Sequence, residues 1–132
     1  NNVQDRIKGF EINMLDDAQK FPENPEVIWM SQFLDCFSED EILSILKRAA
    51  ATMGSDARLY ILETYWDRQR FEAASYSLNA TSLYFTVMAN GNSRMYHSKD
   101  LIKLVHQAGL IIEKDIDDIG MGGHTLFKCR LA

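Results

Sequence analysis

The amino-acid sequence predicts an α/β domain with a mostly parallel sheet, helices on the faces of that sheet and an antiparallel C-terminal edge strand. Short apolar runs alternate along the chain with segments that repeat apolar residues at helical spacing, which is the order expected of a parallel sheet. The last two predicted strands are separated only by a short glycine-rich turn, and such a short connection joins antiparallel strands. The 132 residues fit one domain that can bury a core.

The first elements lie before residue 31. Residues 10–14 alternate between apolar and polar side chains, which predicts a short strand. Residues 16–25 are polar and contain both prolines of the chain, which predicts a loop. Residues 27–30 form a compact apolar run, as expected of a strand that is buried on both faces.

A helix, a strand and a second helix follow. Ser38 and Glu41 have the spacing of a capping box, and the apolar periodicity after them predicts a helix that ends near Gly54. Residues 58–63 predict a strand that ends on a carboxylate. Residues 71–88 contain no glycine or proline and predict a long, aromatic-rich helix.

The last third of the chain predicts a helix and two strands. Ser98 is the predicted cap of a helix that closes at Gly109, and a strand opens at Leu110. Residues 120–123 form a turn, and residues 124–131 alternate as the final strand, paired with the strand before it.

Composition excludes several classes of function. The net charge is −5, and the 14 basic residues are scattered rather than clustered beside aromatic side chains, so we expect no nucleic-acid partner. No apolar run approaches the ~20 residues that span a bilayer, so we expect no membrane partner. Two distant cysteines, Cys36 and Cys129, favour a reducing cytoplasm with both thiols buried. No metal-ligand spacing is present, and we expect no metal.

Four segments together resemble a known family. Leu34-Asp35-Cys36-Phe37 follows an apolar strand and precedes an acidic turn and a helix, residues 59–63 form a strand that ends on Glu63, residues 88–94 read Met-Ala-Asn-Gly-Asn-Ser-Arg, and residues 107–110 read Gln-Ala-Gly-Leu. In this order they resemble the caffeate- and hydroxyindole-type small-molecule O-methyltransferases, which are class I S-adenosylmethionine-dependent enzymes. The resemblance implies a partial Rossmann-like methyltransferase fold.

The resemblance covers the family only from about its third strand onward. The family binds its cofactor mainly through a glycine-rich loop after the first strand and an acidic residue after the second, and neither is present here. The only glycine cluster, residues 120–123, precedes a strand rather than a helix. We therefore expect residues 1–132 to be the C-terminal part of a methyltransferase catalytic domain, which alone binds no S-adenosylmethionine and is inactive.

Two carboxylates are the catalytic candidates. Asp35 occupies the position of the family's histidine base, and Glu63 matches a glutamate that orients that histidine. A carboxylate is a weak base unless burial raises its pKa. Asp35 can equally be a loop carboxylate that accepts backbone hydrogen bonds, and Glu63 a solvated carboxylate at a strand end.

The resemblance also implies cofactor and acceptor residues. Cofactor contacts fall on Asn13 and Met14, with Asp16 as the alternative to Asn13, and on Ser31 and Phe33, although Phe33 can equally be core. Acceptor contacts fall on Trp66, Tyr84, Met88, Asn90 and Arg94. An aromatic stripe at helical spacing can instead be packing, and Arg94 can simply form an ion pair.

The predicted function is that of a fragment of a methyltransferase that methylates a small molecule, most simply at oxygen. The alternative is a methyltransferase-fold module that has lost catalysis and serves in binding or regulation, which the aspartate at position 35 favours. Hydroxyl, carboxyl and amine acceptors all remain open. Unpaired sheet edges and the aromatic helix predict self-association, most simply as a homodimer.

Overall fold

The computed structural model describes residues 3–89, 91–120 and 123–132. Four strands and three α-helices follow each other along the chain, joined in part by short 3-10 turns. In order they are β1 (Val27–Ser31), α1 (Glu39–Thr52), β2 (Arg58–Thr64), α2 (Glu72–Met88), α3 (Ser98–Gln107), β3 (Leu110–Ile119) and β4 (His124–Leu131).

The four strands form one mixed sheet in the order β1-β2-β4-β3. β1 and β2 are parallel, whereas β4 is antiparallel to both β2 and β3, so three strands run in one direction and β4 runs in the other. This arrangement confirms the predicted α/β class. The last two strands form the expected antiparallel hairpin at one edge of the sheet. The C-terminal strand β4 is not the edge strand that was predicted, because it pairs with both β2 and β3 and leaves β3 outermost.

The core lies between one face of the sheet and helices α1 and α3. Ile45 of α1, Val105 of α3, Ile61 of β2 and Phe127 of β4 are all fully buried in a single apolar cluster. Alternate residues of β2 and β4 face the other way and are partly buried, as expected where none of the described helices covers the sheet.

β1 differs from the prediction of a strand buried on both faces. Val27 and Trp29, on one face of the strand, are each 57% exposed, whereas Met30, on the other face, is buried in the core. The reason is its position, because β1 has β2 as its only neighbour among the described strands and packs against the core through one face. Its apolar residues therefore line an open surface.

The N-terminal cap of α1 confirms the predicted capping box. The Ser38 hydroxyl accepts the Glu41 N–H at 3.4 Å, and the Glu41 carboxylate accepts the Ser38 N–H at 2.8 Å. Replacing Ser38 by alanine should lower the free energy of unfolding by about 1 kcal/mol in urea denaturation, since the hydroxyl satisfies an otherwise unpaired amide. The exposed Ser55 is a suitable control, and a Ser55→Ala change of the same size would contradict a specific capping effect.

Three local predictions are wrong. Residues 10–14 form no strand, since the Asn13 side chain accepts the Leu15 N–H at 3.1 Å and turns the chain.

Ser98 is the first residue of α3 rather than its cap, because His97 caps the helix. Both the N–H and the hydroxyl of Ser98 donate to the Asp67 carboxylate, at 2.7 and 2.6 Å. Cys36 is exposed, whereas Cys129 is buried as predicted.

α2 differs from the other two helices because none of its residues is buried. It contacts the 3-10 turn Trp66–Arg68 and the segment 93–95, and its remaining surface faces outward. In the described residues, no helix has the length and apolarity that crossing a membrane requires.

Candidate functional site

The candidate site lies where β1 and β2 end. Because the two strands are parallel, their carboxyl ends meet at one edge of the sheet, and this edge is where open α/β sheets bind ligands. The chain leaves β1 through Gln32 and enters the 3-10 turn Leu34–Cys36, which places Asp35 beside the end of β2. Gln32 has a φ of 46°, a left-handed conformation that is strained for a residue with a side chain.

Glu63 forms the floor of this site. It is only 3% exposed. Its Oε1 accepts the backbone N–H groups of Phe33 at 2.9 Å and Leu34 at 2.8 Å, and its Oε2 faces the Gln32 amide at 3.4 Å. The pKa of Glu63 is raised to about 7, with burial as the largest cause; the hydrogen bonds from the Phe33 and Leu34 N–H groups oppose the rise, and the charge of Asp35 adds to it. Glu63 is thus a buried carboxyl that holds the loop after β1.

Asp35 is half-buried and lies closer to solvent than Glu63. Burial raises its pKa, and the hydrogen bond from the Cys36 thiol, at 3.6 Å, opposes that rise. The backbone carbonyl of Asp35 accepts the Arg94 N–H at 2.9 Å, which fixes the turn to the segment before α3. The two predicted catalytic carboxyls therefore lie in one site, where the charge of Asp35 raises the pKa of Glu63.

A groove of about 620 Å³ runs along β1. It brings together three of the predicted cofactor residues, Met14, Ser31 and Phe33, and the rest of its wall is apolar except for Thr52. The loop that carries Met14 is held in place by Arg48 of α1, whose guanidinium donates to the backbone carbonyls of Met14, Asp16 and Gln19. The exposed side of β1 thus becomes a concave apolar surface.

The other two predicted cofactor residues lie on the same loop, but their side chains are used locally. The Asn13 amide oxygen accepts the Leu15 N–H, and the Asp16 carboxylate accepts the Ala18 N–H at 3.0 Å and the Gln19 amide at 3.2 Å. These hydrogen bonds form turns. Neither side chain lines the groove beside β1.

The predicted acceptor residues are distributed over separate contacts. Trp66 packs edge-on against His97, with ring centroids 4.9 Å apart. Arg94 pairs with Glu39 at 2.7 Å and lies over the Tyr96 ring, which matches the ion-pair alternative for this residue. Tyr84 and Met88 are exposed on α2. The remaining predicted acceptor residue, Asn90, lies outside the described residues.

Two tyrosines beside Glu63 escaped the sequence analysis. Tyr65 and Tyr96, with Leu34, Asp35 and Glu63, line a small cavity of about 10 Å³, room for one water molecule at most. The Tyr65 hydroxyl is buried without a hydrogen-bond partner among the described residues. Tyr65 comes directly after the last residue of β2, two positions after Glu63, and this spacing could have indicated it, because residues i and i+2 of an extended chain share a face.

Metal ligation has no candidate in the part of the chain that the structure describes. No group of three or more histidine, cysteine, aspartate or glutamate side chains is close enough there to hold an ion.

Neither a protein-family model nor a curated protein sequence matches the chain. Solved structures do match its fold. The mitomycin 7-O-methyltransferase MmcR has a TM-score of 0.74 and 22% identity, over 89% of this chain and 32% of MmcR. The fold is that of the C-terminal part of an O-methyltransferase.

Two further structures share this part of the fold. NcsB1, an O-methyltransferase from neocarzinostatin biosynthesis solved with S-adenosyl-L-homocysteine and 1,4-dihydroxy-2-naphthoic acid, has a TM-score of 0.69 and 14% identity over 89% of this chain and 32% of NcsB1. A protein described as a pericyclic reaction enzyme has a TM-score of 0.71 and 13% identity over 89% of this chain and 29% of its own. The chain thus spans about a third of the length of these proteins.

Proposed function

We propose that this chain is the acceptor-side part of an S-adenosylmethionine-dependent O-methyltransferase of the caffeate/hydroxyindole type that acts on a small molecule. The observation that carries the proposal is the position of Asp35 and Glu63 beside the apolar groove, at the shared carboxyl end of β1 and β2. Both carboxyls line one small cavity there, and Glu63 accepts the N–H of Phe33, which lines the groove. The ordered motifs around residues 34–37, 59–63 and 88–94 support the same assignment.

The groove fits only part of the proposed cofactor. Met14, Phe33 and Trp29 offer apolar surface of the kind that an adenine ring packs against. The 132 residues contain no glycine-rich turn between a strand and a helix, and such a turn would let the backbone approach the rest of the cofactor. When bound, the cofactor supplies an electrophilic methyl group. We expect no measurable binding of S-adenosylmethionine by this chain alone.

A residue of this chain must remove the proton from the acceptor hydroxyl. Methylation of a hydroxyl requires a base within hydrogen-bond reach of the acceptor oxygen. Asp35 is the better placed of the two carboxyls, because it is more exposed than Glu63, and burial makes it a stronger base than an ordinary aspartate. Glu63 acts through the loop: by binding the Phe33 and Leu34 amides it positions Asp35.

A methyltransferase-fold module without methyl-transfer activity is the second candidate. The resemblance places histidine where this chain has Asp35, and the fold is shared with a protein described as a pericyclic reaction enzyme, so the fold alone does not specify methyl transfer. Under either candidate the ligand is a small molecule. Two unbridged cysteines support a cytoplasmic location, and the exposed α2 supports a homodimer.

The test is methyl transfer from radiolabelled S-adenosylmethionine to a panel of aromatic hydroxyl and carboxylic acid acceptors, with the full-length protein that carries this sequence. Replacing Asp35 by asparagine should lower kcat by about 100-fold or more and leave cofactor affinity unchanged, since a general base contributes about that factor. Asp56→Asn, on an exposed turn, is the matched control.

Three outcomes separate the candidates. Turnover that drops with Asp35→Asn alone supports the base assignment. Turnover that is unchanged in Asp35→Asn excludes Asp35 as the base but not the methyltransferase assignment. Cofactor binding without turnover on any acceptor favours the inactive module.

A further inference from the structure

The small cavity beside the loop that carries Asp35 has the properties of a water site. Its volume is about 10 Å³, close to the smallest space that holds one water molecule. Glu63 and Tyr65 both line it, as expected of two residues that share a face of an extended chain. Cavities that stay dry in proteins are lined by apolar groups alone, whereas this one has polar side chains in its wall.

The Tyr65 hydroxyl lacks a hydrogen-bond partner among the described residues. Tyr65 is only 1% exposed, so bulk water does not reach this hydroxyl. Burying a hydroxyl without a partner is costly, and most buried polar groups in proteins bind another protein group or an ordered water molecule. Tyr65 therefore needs a partner that the described side chains do not supply.

Glu63 affects the ionisation of Tyr65 more than any other charged group does. Burial is the main cause that raises the pKa of Tyr65 well above its usual value, and the charge of Glu63 is the next. The charge of Arg68 opposes the rise, and those of Cys129 and Asp115 add to it. The hydroxyl therefore keeps its proton at neutral and moderately alkaline pH, and it can donate that proton in a hydrogen bond.

Two other hydroxyls belong to residues that line the cavity, and both already have partners. The Tyr96 hydroxyl donates to the Phe37 carbonyl at 2.5 Å. The Thr64 hydroxyl donates to the Met95 sulfur at 3.3 Å. Neither hydroxyl is therefore the missing partner of Tyr65.

Glu63 can form one more hydrogen bond. Its Oε1 accepts the N–H groups of Phe33 and Leu34, which use both lone pairs of that oxygen. Its Oε2 faces the Gln32 amide at 3.4 Å, which is longer than the usual range of about 2.7–3.2 Å. The same cavity is thus lined by a tyrosine with a free hydroxyl donor and by a carboxyl whose second oxygen is weakly bonded.

We propose that one internal water molecule occupies this cavity and bridges the Tyr65 hydroxyl to Oε2 of Glu63. The hydroxyl donates to the water oxygen, and the water donates one of its hydrogens to Oε2. A water molecule can also accept the hydrogen of a protonated carboxyl, so the bridge serves both forms of Glu63. It is stronger with the carboxylate, because hydrogen bonds to ionised groups are stronger than those between neutral groups.

The bridge makes Tyr65 a positioning residue for the candidate site. Glu63 binds the amides of the loop that carries Asp35, so fixing the Glu63 carboxyl also fixes this loop. The consequence for catalysis rests on the proposed function. The water site itself does not require methyl transfer, and the experiments below test it without an activity assay.

A high-resolution crystal structure of the full-length protein that carries this sequence tests the site directly. An ordered water molecule should lie within about 3.2 Å of both the Tyr65 Oη and a carboxyl oxygen of Glu63. A direct hydrogen bond from the Tyr65 hydroxyl to a protein group would contradict the proposal. A cavity without ordered water would contradict it as well.

Replacing Tyr65 by phenylalanine distinguishes a bridged hydroxyl from an unpartnered one, because the two cases predict opposite signs. The ring that stacks on Phe127 is retained, so the variant should fold. Loss of a bridged hydroxyl should lower the midpoint of urea unfolding by about 0.5 M. Removal of an unpartnered hydroxyl should instead raise the midpoint. A raised or unchanged midpoint overturns the proposal, whether or not the protein transfers methyl groups.

The pH dependence of the same variant tests whether Glu63 is the other end of the bridge. Without the bridge the Glu63 carboxylate is less well stabilised, so its pKa should rise from about 7 by about one unit. A pKa raised further in the folded state increases the stability lost at high pH. The midpoint should therefore fall roughly twice as far at about pH 9 as at about pH 5.5.

Tyr96→Phe is the matched control for this pH dependence. It removes a hydroxyl from the same cavity, but that hydroxyl binds the Phe37 carbonyl rather than a carboxyl. Its effect on the midpoint should therefore be the same at both pH values. An equally pH-independent effect in Tyr65→Phe would exclude the bridge to Glu63.

Discussion

Replacing Glu63 by glutamine should abolish a pH-dependent loss of stability of about 3 kcal/mol that the native protein suffers between pH 4.5 and pH 8. Burial raises the pKa of Glu63 from its usual 4.5 to about 7. The folded protein therefore holds a proton over a range in which the unfolded chain has released it. Stability from this group is fully present below pH 4.5 and is lost as the pH rises through about 7.

The measurement is the free energy of unfolding in urea at several pH values for the native protein and for Glu63→Gln. The difference between the two profiles isolates the contribution of Glu63 to the free energy of unfolding from the contributions of histidines and other carboxyls. Glu72→Gln makes the same chemical change on an exposed glutamate and should leave the pH profile parallel to that of the native protein. Parallel native and Glu63→Gln profiles would contradict the raised pKa.

The loss of stability with rising pH also predicts how the loop at the candidate site responds to pH. Glu63 binds the Phe33 and Leu34 amides, so opening of the loop that carries Asp35 would hydrate the Glu63 carboxylate. A group whose pKa is higher in the closed state favours closure when protonated. Alkaline conditions should therefore loosen this loop, although the ionised carboxylate accepts the stronger individual hydrogen bonds.

Replacing Phe127 by alanine should cost about 3–5 kcal/mol of folding free energy, the typical loss for a buried aromatic side chain. Phe127 is a fully buried residue of β4, and its ring stacks on the ring of Tyr65, directly after β2, with ring centroids 5.4 Å apart. The Arg68 guanidinium lies 5.3 Å from the ring centroid on the rim of the core. Truncation removes these contacts and leaves a cavity. Because domains are stable by only about 5–15 kcal/mol, a large part of the total would be lost.

Thermal unfolding followed by circular dichroism measures this loss, which should lower Tm by roughly 10 °C or more. Phe127→Leu retains most of the volume and should cost less than about 2 kcal/mol. Phe10→Ala removes an aromatic ring that is 56% exposed and should change stability by no more than about 0.5 kcal/mol. A similar loss in Phe10→Ala and Phe127→Ala would contradict the assignment of the core to the α1, α3 and β4 side of the sheet.

Local sequence signals determined most of the elements and their order. Ser38 and Glu41 predicted the start of α1 because a capping box involves only residues three positions apart. Gly109 predicted the end of α3, and its φ of 79° is a conformation that glycine adopts without strain. The antiparallel hairpin of β3 and β4 followed from the short turn between them.

Predictions from local sequence patterns were wrong where a residue distant in the chain binds the polar group that the pattern relies on. Ser98 resembles a helix cap, yet Asp67, 31 positions earlier, binds both its N–H and its hydroxyl, so His97 caps α3 instead. Residues 10–14 alternate as a strand would, but within the described part of the chain they pair with no strand. A strand needs a partner, and the alternation of one segment does not reveal whether that partner exists.

The α/β class, the resemblance to a methyltransferase and the candidacy of Asp35 and Glu63 all follow from the amino-acid sequence. How those carboxyls ionise follows from the folded structure, because the pKa of Glu63 depends on burial and on the N–H groups of Phe33 and Leu34, which lie 30 and 29 positions away along the chain. The folded structure also decided that β1 and α2 expose apolar surface. Periodicity shows which side chains are apolar, whereas exposure depends on which other elements pack against them.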